Sequence, residues 1–243
     1  MSMTQSAVMP TKGLRMAGSM LIVLPLLSLL VLAHHPTVAA RDVHEASRQL
    51  AAVAGFAALV HGMLIAGQCG ILYALLTWLD SRKLANPLPR AAAIMFLLGT
   101  VGVIGAALVD GFIVARVATF PHEGDPGLTI MDQLIRYSMS LNQVLIVAGE
   151  LALSAAFALL SADLIGIRGG SLWVGAAGLI LAGGSILGLL TGFLILHLRG
   201  MQILFAAQSV WLVWLGVFIL RSAGDVRKSV IATPTIDRTS GTG

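Results

Sequence analysis

Charged side chains are scarce in this chain, 11% of 243 residues where soluble domains carry about 25%. Hydrophobic residues make up 57%, and the mean hydropathy is +0.92. One water-soluble core of this length cannot hide so much apolar surface. That excludes a cytosolic enzyme, an ordinary nucleic-acid binder and a disordered chain. Cysteine is nearly absent. The single Cys69 excludes a disulfide framework and any C-x-x-C or metal-finger spacing. Lysine is missing from the long apolar runs and no Gly-x-Ser-x-Gly occurs, so a Ser–Lys or Ser–His protease has no support. No phosphate-cradling glycine loop is present either.

What the chain does have is length of apolar run. A helix crossing the roughly 30 Å hydrocarbon layer needs about 20 mostly apolar residues. Six segments qualify: Met16–Ala33, Leu50–Leu79, Ala91–Val117, Tyr137–Leu160, Leu172–Leu196 and Met201–Leu220. Charges and turn residues separate them. The His197–Gly200 link is so short that the last two segments are expected to form an antiparallel hairpin. The fold class expected is therefore all-α, a polytopic membrane protein with six transmembrane helices in a compact bundle over residues 16–220. Residues 1–15 and 221–243 are expected to be disordered cytoplasmic tails.

Orientation follows from charge. With the amino terminus in the cytoplasm, ten of the Lys and Arg residues fall on the inner side and five on the outer. Both termini are then cytoplasmic, in an inner membrane. The pI near 9.8 is explained by topology, without a nucleic-acid partner. An alternative for the first segment is a signal peptide cut after Val38-Ala39-Ala40, which would leave five helices. The expected partners are the lipid bilayer and another membrane subunit or a second copy of the chain.

Small residues carry helix packing in lipid. Ala54, Ala58, Gly62, Ala66 and Gly70 recur at every fourth position of the second segment, and Gly184, Gly188 and Gly192 do so in the fifth, after Gly175 and Gly178. Both stripes predict tight helix seams, and Gly99, Gly102, Gly105 and Ala106 add a third.

Ionisable groups at membrane depth are costly and face a bundle interior or a water-filled cavity. Counted from the segment ends, His61 and Glu150 lie at matching depth near mid-membrane, with Asp110 above them. Arg136, Gln143, Glu150, Ser154 and Ser161 fall on one face of the fourth segment at helical periodicity. His61 with Gln68 makes a shorter stripe, and Gln202, Ser209 and Gly216 a third. These residues predict a buried polar centre of His61, Gln68, Asp110, Gln143, Glu150 and Ser154, with an imidazole–carboxylate pair between His61 and Glu150. Either it is interhelical glue, each bond worth about 0.6–2 kcal/mol in membranes, or it is a proton or solute path.

Five of the six histidines, His34, His35, His44, His122 and His197, fall on the outer side. His34, His35 and His197 are candidates for a zinc or copper site there, or for a single haem, although no pair has a tight ligand spacing. The Pro121–Arg136 connection is expected to be a solvated loop, partly lying along the membrane surface. On balance the sequence points to a non-enzymatic membrane protein without a cofactor: a subunit, sensor or structural partner, or a small-solute or proton pathway. The alternative is a metal- or haem-binding redox component or a membrane-embedded, metal-dependent enzyme.

Overall fold

A computed structural model describes residues 11–36, 43–82, 87–119, 125–166, 171–196 and 198–232. The described residues form six long helices and no strand. They are α1 (Thr11–Ala33), α2 (Val43–Ser81), α3 (Pro87–Leu108), α4 (Asp125–Ile165), α5 (Ser171–Leu190) and α6 (Leu198–Ala232). Helix α3 runs on through a π-helical stretch, Val109–Val114, and a last α-turn, Ala115–Ala118. All six are long and apolar enough to cross a membrane.

The helices alternate in direction and pack as a ring. Each lies against its neighbours in sequence, and α6 closes on α1, while the α5–α6 contact is the lightest. Gly18 of α1 meets Gly216 and Leu220 of α6, so both ends of the described chain lie at one end of the bundle, here the tail end. At the opposite, distal end Gln202 of α6 donates to the Leu32 carbonyl of α1 at 3.4 Å.

The polarity of the ring is inverted relative to a soluble bundle. Glu150, Ser154, Ser161, Gln208 and Ser209 are buried inside it, while Leu59, Val101, Val144, Ile180, Ile203 and Val210 are exposed on its outside. Water would reverse that distribution and lipid favours it. The fold is that of a multi-pass membrane protein. Towards the tail end the ring is filled by an aromatic stack, Phe96 against Phe157 (6.0 Å between centroids) and Phe157 against Trp211 (4.8 Å). An Arg82–Asp163 ion pair of 2.8 Å ties α2 to α4 there, with the Arg82 guanidinium 5.5 Å from the Trp78 ring centroid.

Several element boundaries differ from the apolar runs. Helix α2 starts at Val43 and α4 at Asp125, so most of the expected Pro121–Arg136 loop is the first turns of α4, opened by Pro126, whose missing N–H costs nothing in a first turn. The helical ends also intrude on both expected tails, with α1 beginning at Thr11 and α6 reaching Ala232. Conversely, α5 stops at Leu190: Gly192 takes φ +71°, and Leu194 N–H turns back to the Gly188 carbonyl at 2.8 Å. The stop leaves α5 packed along α4, so the expected hairpin with α6 is joined in sequence but only lightly packed.

The expected seams form in part. Gly99 and Gly102 lie directly on Gly149, so that α3 and α4 touch backbone to backbone. On α5 it is Gly175 and Gly178 that accept α4, whereas Gly184 has open space beside it. On α2, Gly70 accepts Leu24 of α1, but Gly62 packs tightly against nothing. Spacing alone does not say which turns of a small-residue stripe meet a partner.

Candidate metal centre

Between α1, α2, α3, α4 and α6, in the distal half of the ring, lies a cavity of about 480 Å³. Its walls are mainly aliphatic. Pro25, which deprives α1 of one backbone hydrogen bond, is part of the lining. At its distal end three donor atoms converge: His35 Nε2 from the end of α1, His61 Nε2 from α2, and Asp110 Oδ2 from the π-helical stretch of α3. His61 Nε2 is 3.2 Å from Asp110 Oδ2 and 3.3 Å from His35 Nε2, and the His35–Asp110 distance is 3.6 Å. The imidazole rings stand nearly perpendicular, 77° apart.

The second nitrogen of each ring fixes what the first can do. His61 Nδ1 lies 2.8 Å from the Ala57 carbonyl, and His35 Nδ1 lies 2.9 Å from the Pro36 carbonyl. A carbonyl only accepts, so each Nδ1 carries the proton and donates it. In the neutral rings both Nε2 atoms are then bare lone pairs, and they face each other and a carboxylate oxygen. Three acceptors at these distances repel one another unless a cation or added protons lie between them. A backbone carbonyl holding the far nitrogen is also the usual support of a metal-bound histidine.

The size of the triangle is informative. Donors about 2.0–2.1 Å from a tetrahedral ion are about 3.3–3.4 Å apart, whereas an octahedral ion brings neighbouring donors to about 2.8–3.0 Å. The edges of 3.2, 3.3 and 3.6 Å are nearer to a tetrahedral face than to an octahedral one. The three groups also differ in exposure. The side chain of His61 is 6% exposed, that of His35 17% and that of Asp110 31%, so the cluster is anchored inside and accessible from one side.

Local structure explains the convergence. Gly111 lies beneath the His61 ring, and a methyl group there would collide with His61 Cβ and Cγ. The π-helical stretch puts one extra residue into this turn of α3, which brings Asp110 and Gly111 to His61 together.

The expected polar centre is thus divided. His61 and Asp110 belong to the triad. Gln68 and Gln143 line the cavity; Gln68 donates to Thr100 at 3.2 Å, and Gln143 to the Leu196 carbonyl at 3.3 Å. Glu150 is fully buried outside the cavity lining, where its Oε2 accepts from Gln208 Nε2 at 2.6 Å and its Oε1 has no partner among the described residues. Ser154, one turn further, is buried as well. The expected His61–Glu150 pair does not form. The Gly102–Gly149 seam sets Glu150 level with Val103, seven residues or about 10 Å along α3 from Asp110.

The expected set of outer histidines is also divided. His35 joins the triad, and His34 is exposed, its Nδ1 on the Leu30 carbonyl at 2.8 Å. His197 lies outside the described residues. With His61 the one described histidine whose ring meets that of His35, and Asp110 beside both, the geometry favours one metal ion over haem. Sequence reasoning passed over Gln208, which is adjacent to Ser209 in the polar stripe of α6, and the Arg82–Asp163 pair. No protein-family model, curated protein or solved structure matches this chain.

Proposed function

We propose that this is a multi-pass membrane protein that binds one divalent transition-metal ion, zinc by preference, between His35, His61 and Asp110. The observation that carries the reading is the convergence of His35 Nε2, His61 Nε2 and Asp110 Oδ2; with each Nδ1 on a backbone carbonyl, neutral rings would aim two lone pairs and a carboxylate at one point. Nitrogen and oxygen donors at tetrahedral spacing suit zinc better than magnesium or calcium, which take oxygen. Three protein ligands with a cavity alongside leave a coordination position open, as in sites that act on or hold a small molecule and unlike closed structural zinc sites. With the tails in the cytoplasm, as the Lys and Arg distribution favours, the metal centre opens to the outer side.

The test is elemental analysis of detergent-purified protein carrying no metal-binding tag, beside His35→Ala, His61→Ala and Asp110→Asn. Zinc near one ion per chain, lost in all three variants, supports the reading. Protein that stays empty after incubation with zinc overturns it. A second reading, a proton pathway, rests on the fully buried Glu150, whose Oε1 has no partner among the described residues. Proton flux in proteoliposomes, abolished by Glu150→Gln, is the result that reading requires.

A further inference from the structure

A metal ion in this centre would carry a charge that no described residue of the cavity lining balances. A divalent ion with two neutral imidazoles and one carboxylate keeps one positive charge. His35, His61 and Asp110 are the only ionisable side chains lining the cavity among the described residues, since Glu150 lies outside the lining, on the far side of Gln208. An unbalanced charge beside aliphatic walls is costly. The balancing anion at the open position is either hydroxide from a metal-bound water or an anion from outside, and only the latter makes use of the cavity.

The cavity says what else that anion carries. A volume of about 480 Å³ lies within the range of about 300–1,000 Å³ for small-molecule sites and far exceeds the roughly 30 Å³ share of one water. Leu32, Leu64, Ile65, Ile104, Ile146 and Phe205 form its walls. From His61 at the mouth to Gln68 at the floor is seven residues of α2, about 10 Å. At that floor, Gln68 and Gln208 already bond Thr100 and Glu150. A free inorganic anion would neutralise the metal and leave the apolar walls unused.

From these features we infer that the centre and its cavity together bind a monoanionic amphiphile, a carboxylate with a medium-length hydrocarbon body: the carboxylate on the metal, the hydrocarbon between the aliphatic walls. This inference rests on the metal reading above and adds the ligand class to it.

Cobalt(II) in place of zinc supplies a readout, because its visible absorption reports the ligand set of a tetrahedral site. The cobalt-loaded, detergent-purified protein is titrated with decanoate, with decanol and with acetate. Decanoate is expected to change the spectrum and saturate at one per chain. Decanol, which partitions into detergent but has no anion, and acetate at the same concentration are expected to leave it unchanged. Ser209→Phe, which fills the cavity floor from α6, is expected to keep the cobalt spectrum and weaken the decanoate response at least tenfold; if it fails to load cobalt, Ala107→Phe narrows the same cavity from α3 and is held to the same criterion.

Equal responses to acetate and decanoate would overturn the amphiphile and leave a small-anion site. A decanoate response unaltered in a cobalt-loaded, cavity-filled variant would place the hydrocarbon elsewhere and overturn the cavity assignment. Failure of the unaltered protein to bind cobalt removes the metal reading itself, a result distinct from either.

Discussion

Two polar clusters lie inside one helical ring, about 10 Å apart along α3, and they are built on opposite chemistry. At the mouth, His35, His61 and Asp110 bring two ring nitrogens and a carboxylate oxygen to one spot, three acceptors when the rings are neutral, and the side chain of Asp110 is 31% exposed. Beyond the floor, Glu150 meets Gln208, an acceptor meets a donor, and Glu150 is wholly buried. Both consist of costly groups at membrane depth, and depth alone does not separate them. Donor–acceptor balance does. A donor–acceptor pair ties helices together, even with Glu150 Oε1 left without a partner among the described residues; a cluster of acceptors needs a proton or a cation between its members.

That contrast breaks most visibly at His61. His61→Ala is expected to reduce bound zinc to background by elemental analysis while the protein still extracts as a folded monodisperse species. Persisting stoichiometric zinc would mean that the mouth cluster is no metal centre. Gly111→Ala comes next. The added methyl displaces the His61 ring without removing any ligand, and a zinc affinity lower by about 10–100-fold is expected, the range for loss of a ligand's support. An unchanged affinity in a zinc-competition titration would show that ring placement does not depend on this close approach.

The floor should respond in stability and not in metal. Glu150→Leu leaves the Gln208 amide unpaired and is expected to cost about 1–3 kcal/mol, seen as a lower thermal midpoint, with zinc content unchanged. Loss of zinc in this variant would join the two clusters into one system. Glu150→Gln keeps a carbonyl oxygen for Gln208 and should shift stability by less than about 1 kcal/mol. A Glu150→Gln protein that cannot be extracted intact would show that the carboxyl group itself, and not the hydrogen bond, is required.

The six helices were legible in the sequence because each apolar run is far longer than any soluble core helix needs. The candidate site was half legible. His61 and Asp110 are ionisable groups in apolar runs, and that cost singles them out. Their pairing was not legible, because depth counted from the segment ends ignores register: Gly102 against Gly149, a contact that spacing does not specify, moves Glu150 away from His61. His35 was weighed against the other outer histidines and not against His61, although the two are only 26 positions apart across one antiparallel turn of the chain. The signal available was Asp110-Gly111, a carboxylate followed by the one residue small enough to admit a ring. Gln208 was hidden by its neighbour Ser209, which fitted the seven-residue stripe better.

The π-helical stretch Val109–Val114 has a genetic consequence. A π turn is an α-helix with one residue inserted, and each residue of an ordinary helix turns about 100°. Deleting one codon here would leave an unbroken α-helix of similar length and hydropathy that still spans the layer, while rotating Asp110 out of line with His61 relative to the rest of α3. A lineage could therefore gain or lose the proposed metal centre through a single in-frame insertion or deletion, without altering the identity of a ligand.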